Sequence, residues 1–288
     1  MKKLLVTFIA LILSAFSIQT TANVNIVHPE PRTGSALDLY AIELIEFLAE
    51  KSGESVTLQA FDGQIGSQSR KVEMMKQGKL TVDWLGADRT LESELLPVRY
   101  PIFRGLLGHR LFITNQSTEP KLAQINRADE LASLTMIQGQ GWADVNVLTS
   151  AGFRVREISS FENIFKVVDT GRADLFPRAL IEPFSELAER PQYENLLVDP
   201  HLMLIYRFPM FLFVSPQHAD IAEMLNRAFE TAYQDGSFVE FFNNAPLVKE
   251  TFEKANINDR TTIRVDNPHL STETQAIPDD YWLDIGAQ

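Results

Sequence analysis

Apolar positions along this chain recur at two different periods, and the switching between them lays out its architecture. Residues 24–27 have the length and apolar content of a short strand. Ser35 and Asp38 stand at capping-box spacing ahead of Leu37, Tyr40, Ala41, Leu44 and Leu48, which fall on one helical face, and Gly53 closes that helix. The unit then repeats. A strand over 55–60 and a loop over 61–67 lead into a helix over 69–77, with Val72, Met74 and Met75 turned inward and Gly78 at its end, then a strand over 80–85. Strands alternating with helices across short loops predict a mostly parallel sheet covered by helices.

Two longer apolar runs without helical period, 108–114 and 202–214, bracket a middle section. Inside it the alternation restarts: a helix over 128–131, a strand from Thr135, a strand over 153–158, a helix over 161–170 capped by Ser160, and the segment 174–182. Beyond the second run, Ile221, Leu225, Ala228, Phe229 and Ala232 share a helical face, and a short helix follows over 237–243. The tail from Asn267 is polar and acidic, yet Tyr281 and Trp282 predict rings packed on the surface it crosses. Two crossing connections around one inserted section predict an α/β chain of two lobes, with the crossing strands as hinge and a ligand cleft between the lobes. The expected boundaries are 23–107 and 214–288 for lobe I, and 108–213 for lobe II.

The beginning of the chain changes the picture. Lys2 and Lys3, an apolar stretch to Phe16 and small residues at Thr20, Thr21 and Ala22 form the three regions of a secretory signal, too short for a permanent span. Residues 1–22 are expected to be removed and the rest released into the periplasm. With 0 cysteines neither a lipid anchor on cysteine nor a disulfide can form. The formal charge of -12 becomes more negative once both lysines are lost, which argues against nucleic acid and anionic membrane as partners. An anionic ligand would need a local positive site working against that field.

The richest candidate chemistry lies at 135–144, an apolar strand start running into a Gly-rich turn and a helical pattern. Gly139 and Gly141 permit a tight turn close to a bound group, and Gln140, Gly141, Trp142 and Asp144 are placed to meet a polar ligand, with helix-opening amides as donors and Trp142 as a stacking face. An ordinary strand-to-helix turn reads the same way. Trp84, Asp88 and Arg89 fall near the carboxyl end of the third strand, where open α/β sheets bind ligands, although Arg89 could simply pair with Glu92 or Glu94. Arg178 and Glu182 follow the motif Gly171-Arg-Ala-Asp174 and either face the cleft or bridge each other. Glu30 and Arg32, in the Pro-rich loop 28–32, either face the cleft or are solvated. No third glycine completes a dinucleotide fingerprint, no GKS or GKT occurs, no G-x-S-x-G elbow appears, and the five histidines lack metal-ligand spacing. No metal or cofactor is implied.

With its leader, two α/β lobes, two crossing strands and the segment Ala232-Tyr-Gln-Asp-Gly-Ser-Phe238, the chain resembles the extracytoplasmic solute-binding proteins of bacterial amino-acid-type transporters (family 3). These have the type II periplasmic-binding fold. The stretches Gln138-Gly-Gln-Gly-Trp-Ala-Asp144 and Gly171-Arg-Ala-Asp-Leu-Phe-Pro-Arg178 resemble a gammaproteobacterial branch. The resemblance implies capture of a small solute and an inner-membrane transporter, or a sensor, as partner, acting on a monomer. Two departures from the pattern bear on the ligand. Thr90-Leu-Glu-Ser93 stands where the resemblance expects an arginine for the ligand's carboxylate, and Arg178 stands close to the place of an aspartate for its ammonium.

The resulting expectation is a binding protein without catalysis, taking a polar, carboxylate-bearing solute through Arg178. The competing class is a secreted enzyme on the same scaffold, for example a dehydratase with Glu30, Asp88 or Glu182 as its acid.

Overall fold

The computed structural model describes residues 23–32, 34–63, 65, 67–283 and 285. The expected leader, residues 1–22, lies outside the described residues. In the first lobe β1 (Val24–His28) runs parallel to β2 (Val56–Ala60), with Val24 opposite Val56 and His28 opposite Ala60. The helix between them, Ala36–Ser52, starts where Ser35 Oγ accepts the Asp38 amide at 3.2 Å and stops at Gly53, whose φ of 71° suits glycine. Its face of Leu37, Tyr40, Ala41, Leu44, Ile45 and Leu48 is buried, each large side chain contributing roughly 1.5–3 kcal/mol. The Thr81 amide donates to Val27 O at 2.7 Å, which brings β3 (Val82–Gly86) beside β1, and β4 (Leu96–Val98) follows.

The chain leaves this lobe through β5 (His109–Asn115). In the second lobe β6 (Thr135–Gly139) and β7 (Arg154–Ile158) pair in parallel, and β8 (Phe176–Ala179) and β9 (Leu196–Val198) each pair antiparallel with β5. The return passes through β10 (Leu202–Ile205) and β11 (Met210–Val214), and β12 (Thr261–Arg264) comes near the end.

The second apolar run, expected as one strand over 202–214, is two. β10 lies between β5 and β12, whereas β11 lies between β3 and β4, so the chain changes sheets at 206–209. Pro209 has no N–H to give a ladder, and the break falls there. The two crossings touch at one point: the Tyr206 amide donates to Gly108 O at 3.0 Å, and a Cβ on Gly108 would collide with Tyr206 O. The crossing therefore sits near 206–209 rather than at 213. Parallel and antiparallel pairings both occur, in place of one mostly parallel sheet, because the strands that shuttle between lobes, β5 and β11, run against their neighbours.

The C-terminal segment does not stay with the first lobe. β12 pairs in parallel with β10, and Arg260 Nη1 donates to Asp199 O at 2.6 Å and Leu202 O at 2.9 Å. Asn267 Nδ2 donates to Arg207 O at 2.9 Å, on the crossing itself. At His269 the segment touches both lobes: Nε2 shares a 2.8 Å hydrogen bond with Ser150 Oγ, while its carbonyl accepts the Arg89 amide at 3.1 Å. Beyond it, Ser271 and Thr274 hydroxyls donate to Glu92, Tyr281 stacks on Tyr233 with ring centroids 4.1 Å apart, and Arg207 lies 4.2 Å above the Trp282 ring. Both tail rings are packed, as expected. Among the described residues no helix is long and apolar enough to cross a membrane.

Candidate ligand cleft

Between the lobes lies a cleft of about 1060 Å³. The first wall comes from the loop after β1, the start of helix Ala36–Ser52, Gln68 and Lys71 of helix Gln68–Lys76, and the end of β3. The opposite wall comes from the turn after β6, the start of helix Phe161–Asp169, the end of β8 and helix Pro183–Ala188 with the turn beyond it. Arg110 of β5 and Phe208 and Met210 of the return crossing form the back.

The floor is a buried ionic network. Arg178 donates through Nε to Glu186 Oε2 at 2.8 Å and through Nη2 to Glu186 Oε1 and Glu182 Oε1, both at 2.5 Å. Glu182 Oε2 accepts the Ala179 amide at 2.8 Å and lies 3.8 Å from Arg110 Nη1. Arg110 in turn donates through Nε to Tyr206 Oη at 2.7 Å and pairs through Nη2 with Asp144 Oδ2 at 2.8 Å. Asp144 Oδ2 also accepts from Gln138 Nε2 and the Tyr206 hydroxyl. Three carboxylates thus share two guanidinium groups. Burial pushes the Glu186 carboxyl up despite Arg178, and pushes the Tyr206 hydroxyl up as well.

On the first wall Asp38 binds Arg32 instead of completing a capping box. Its Oδ2 accepts both the Arg32 amide and Nε at 2.9 Å, and its Oδ1 accepts Arg32 Nη2 at 3.1 Å and Trp84 Nε1 at 2.8 Å. Burial alone would raise that carboxyl; the guanidinium and these hydrogen bonds hold it down to about 2. Lys71 pairs with buried Asp83 at 2.8 Å, and Arg190 pairs with Glu162. An aromatic shelf faces this wall: Trp142 packs against Phe161 and Phe176, and Arg178 lies 5.1 Å above the Trp142 ring.

Among the described residues, side chains bring the walls together at several points. Gln68 Nε2 donates to Gly141 O at 3.3 Å, Arg32 lies 5.5 Å over the Phe161 ring, and Gly34 abuts Glu189, where a Cβ would collide with the glutamate's Cγ.

Of the residues expected at the site, Trp84, Gln140, Trp142, Asp144, Arg178 and Glu182 line the cleft. Asp88 and Arg89 do not. Asp88 Oδ1 caps helix Arg89–Glu94 by accepting the Leu91 amide at 2.8 Å, and Arg89 Nη2 donates to Pro268 O and Leu270 O, holding the tail. Gly141 reaches the cleft edge, but its amide donates to Glu157 Oε2 at 2.9 Å and the Val145 amide to Trp142 O at 3.1 Å, so the expected free donors are engaged. Gly139 serves Trp142 rather than a ligand, because any Cβ there would overlap the indole. Arg178, expected to hold an anion, is taken by two glutamates. Arg110 and Glu186 were missed. A lone arginine inside the apolar run 108–114 signalled the first, and a glutamate eight residues after Arg178, four beyond Glu182, signalled the second.

No protein-family model and no curated protein matches the chain. Solved structures do. The periplasmic VFT2 domain of Bordetella pertussis BvgS superposes with a TM-score of 0.59 at 16% identity, over 77% of this chain and 93% of that one. An ancestral arginine-binding protein bound to arginine gives 0.55 at 14% identity, over 78% and 98%. The chain has the type II periplasmic-binding fold. A third structure with that fold, the ancestral amino acid-binding protein AncCDT-1, a precursor of cyclohexadienyl dehydratase, gives 0.53 at 10% identity, over 77% and 94%. At these identities the likeness is one of fold.

Proposed function

We propose that this protein is a periplasmic solute-binding protein, which captures a small polar solute by closure of its lobes and presents it to an inner-membrane transporter or sensor. The observation that carries the reading is the contrast between the cleft and the crossing. Among the described residues the walls meet across the cleft through side chains, at Gln68–Gly141, Arg32–Phe161 and Gly34–Glu189, whereas the connections are joined by backbone at Gly108 and Tyr206. Side-chain contacts of this kind can part and re-form while the crossing holds, and a solute bridging both walls favours the closed state. The arginine-bound neighbour supports solute capture, and a histidine kinase sensor domain with similarity to periplasmic binding proteins, which superposes with a TM-score of 0.57 at 13% identity, supports a sensor as the alternative partner. A ligand carboxylate held by Arg178 would have to displace Glu182 or Glu186.

Catalysis is the second reading, favoured by one observation: Glu186 lines the cleft with its carboxyl raised by burial, as a general acid requires. Native mass spectrometry of the protein as purified, then solution scattering with the solute it carries, tests capture. The radius of gyration should fall on saturation. An unchanged radius, or conversion of the solute into a new mass, would overturn non-catalytic capture by closure.

A further inference from the structure

The ion pairs of the cleft, taken together with its charge, say what kind of solute it can take; the inference rests on the capture reading above. Five cations line the cleft, Arg32, Lys71, Arg110, Arg178 and Arg190, and each has a carboxylate partner. The same lining holds seven carboxylates: Asp38, Asp144, Glu162, Glu182 and Glu186, which serve those cations, and Glu30 and Glu189, which among the described residues have no ion-pair partner. These two come from opposite walls. Glu30 lies on the loop that carries Gly34, and Gly34 is the backbone against which the Glu189 side chain rests.

We propose that the cleft takes an organic cation without a carboxylate, an amine or guanidine on a compact apolar body, with its charge held between Glu30 and Glu189 and its body against Trp142 and Phe161. A carboxylate entering this cleft meets no cation without a carboxylate partner and adds negative charge beside a floor where three carboxylates already share two guanidinium groups. Breaking such a pair leaves a buried charge uncompensated. A cation meets two carboxylates without an ion-pair partner, and its apolar body meets aromatic rings it can pack against.

The test is calorimetric titration and melting of the mature protein with 1,4-diaminobutane and agmatine on one side, and succinate, L-glutamate and L-arginine on the other. At least one of the two amines should bind more tightly than every carboxylate-bearing probe, and binding should weaken with added salt. Glu30→Gln and Glu189→Gln, both at exposed positions, should each weaken the amine by roughly tenfold while melting like the parent. Succinate or an amino acid binding more tightly than the amines would overturn the cation assignment and leave capture standing. Equal amine affinity in parent and both variants would overturn the placement at the mouth. If no probe of either sign binds and the scattering never changes, capture fails and the ligand class fails with it.

Discussion

The two lobes are joined in front and behind by different kinds of bond. In front, at the cleft, the walls meet through Arg32, Gln68 and Glu189, long polar side chains that lose little when they part into water. Behind, the crossing strands and the C-terminal segment are joined by backbone: Tyr206 to Gly108, β12 to β10, and the Val265 amide to the Ile205 carbonyl. Backbone groups that leave such a ladder must find new partners, so the rear resists separation while the front yields. A molecule built this way opens on one side.

The sharpest test of that difference is Arg178→Ala at the floor of the cleft. It strands Glu186 without its cation and leaves Glu182 only Arg110 at 3.8 Å, and removal of one partner from a buried pair typically costs about 3–5 kcal/mol. Urea unfolding of a chain of residues 23–288 should show a loss of that size. A loss below about 1 kcal/mol, as for an exposed pair, would mean that the floor is open to water.

A smaller effect is expected at the front wall, through Asp38. Its carboxyl is held from 3.8 down to about 2 in the fold, a stabilisation of roughly 2 kcal/mol. The unfolded chain binds that proton more tightly than the folded one. The contribution is therefore complete above about pH 4 and is lost as pH falls through about 2. Asp38→Asn should be less stable than the parent near neutrality and should show a flatter loss of stability across that acid range. Parallel curves would mean that Arg32 does not hold Asp38 in solution.

The smallest effect belongs to the rear. His269→Ala removes one side-chain hydrogen bond to Ser150 and leaves the backbone ties around it, so unfolding should shift by no more than about 1 kcal/mol. A loss above about 3 kcal/mol would make that single contact, rather than the ladder, the tie between tail and second lobe.

What could be read from the sequence follows the range of the forces involved. Ser35 and Gly53 act within one helical turn, and the helix they bound is the one expected. The two-lobed layout was legible because apolar period and the two long crossing runs are written along the chain. Asp88 and Arg89 were misplaced because their positions at a strand end were right while their bonds go to the helix just begun and to a tail some 180 residues away, which no local pattern encodes. Arg178 shows the same limit. Its spacing to Glu182 left cleft and bridge both open, and only the approach of Glu186, one helical turn further on, engages the guanidinium fully. The division of 202–214 at Pro209 was visible as a proline, but which sheet each half would join depended on partners far off in sequence.

β12 lying beside β10 gives the rear a mechanical property that two connections alone would lack. Two separate strands can flex and can also twist about each other, letting the lobes swivel as well as close. Three strands bonded edge to edge, β12, β10 and β5, with β8 and β9 beyond β5 in the same sheet, form a leaf that leads into the crossing: compliant when bent across its face, stiff when sheared or twisted, because twisting pulls on the hydrogen bonds between strands. The lobes of this protein should move along a single bending coordinate, so that a partner docking on both lobes at once senses one variable, the angle of the leaf.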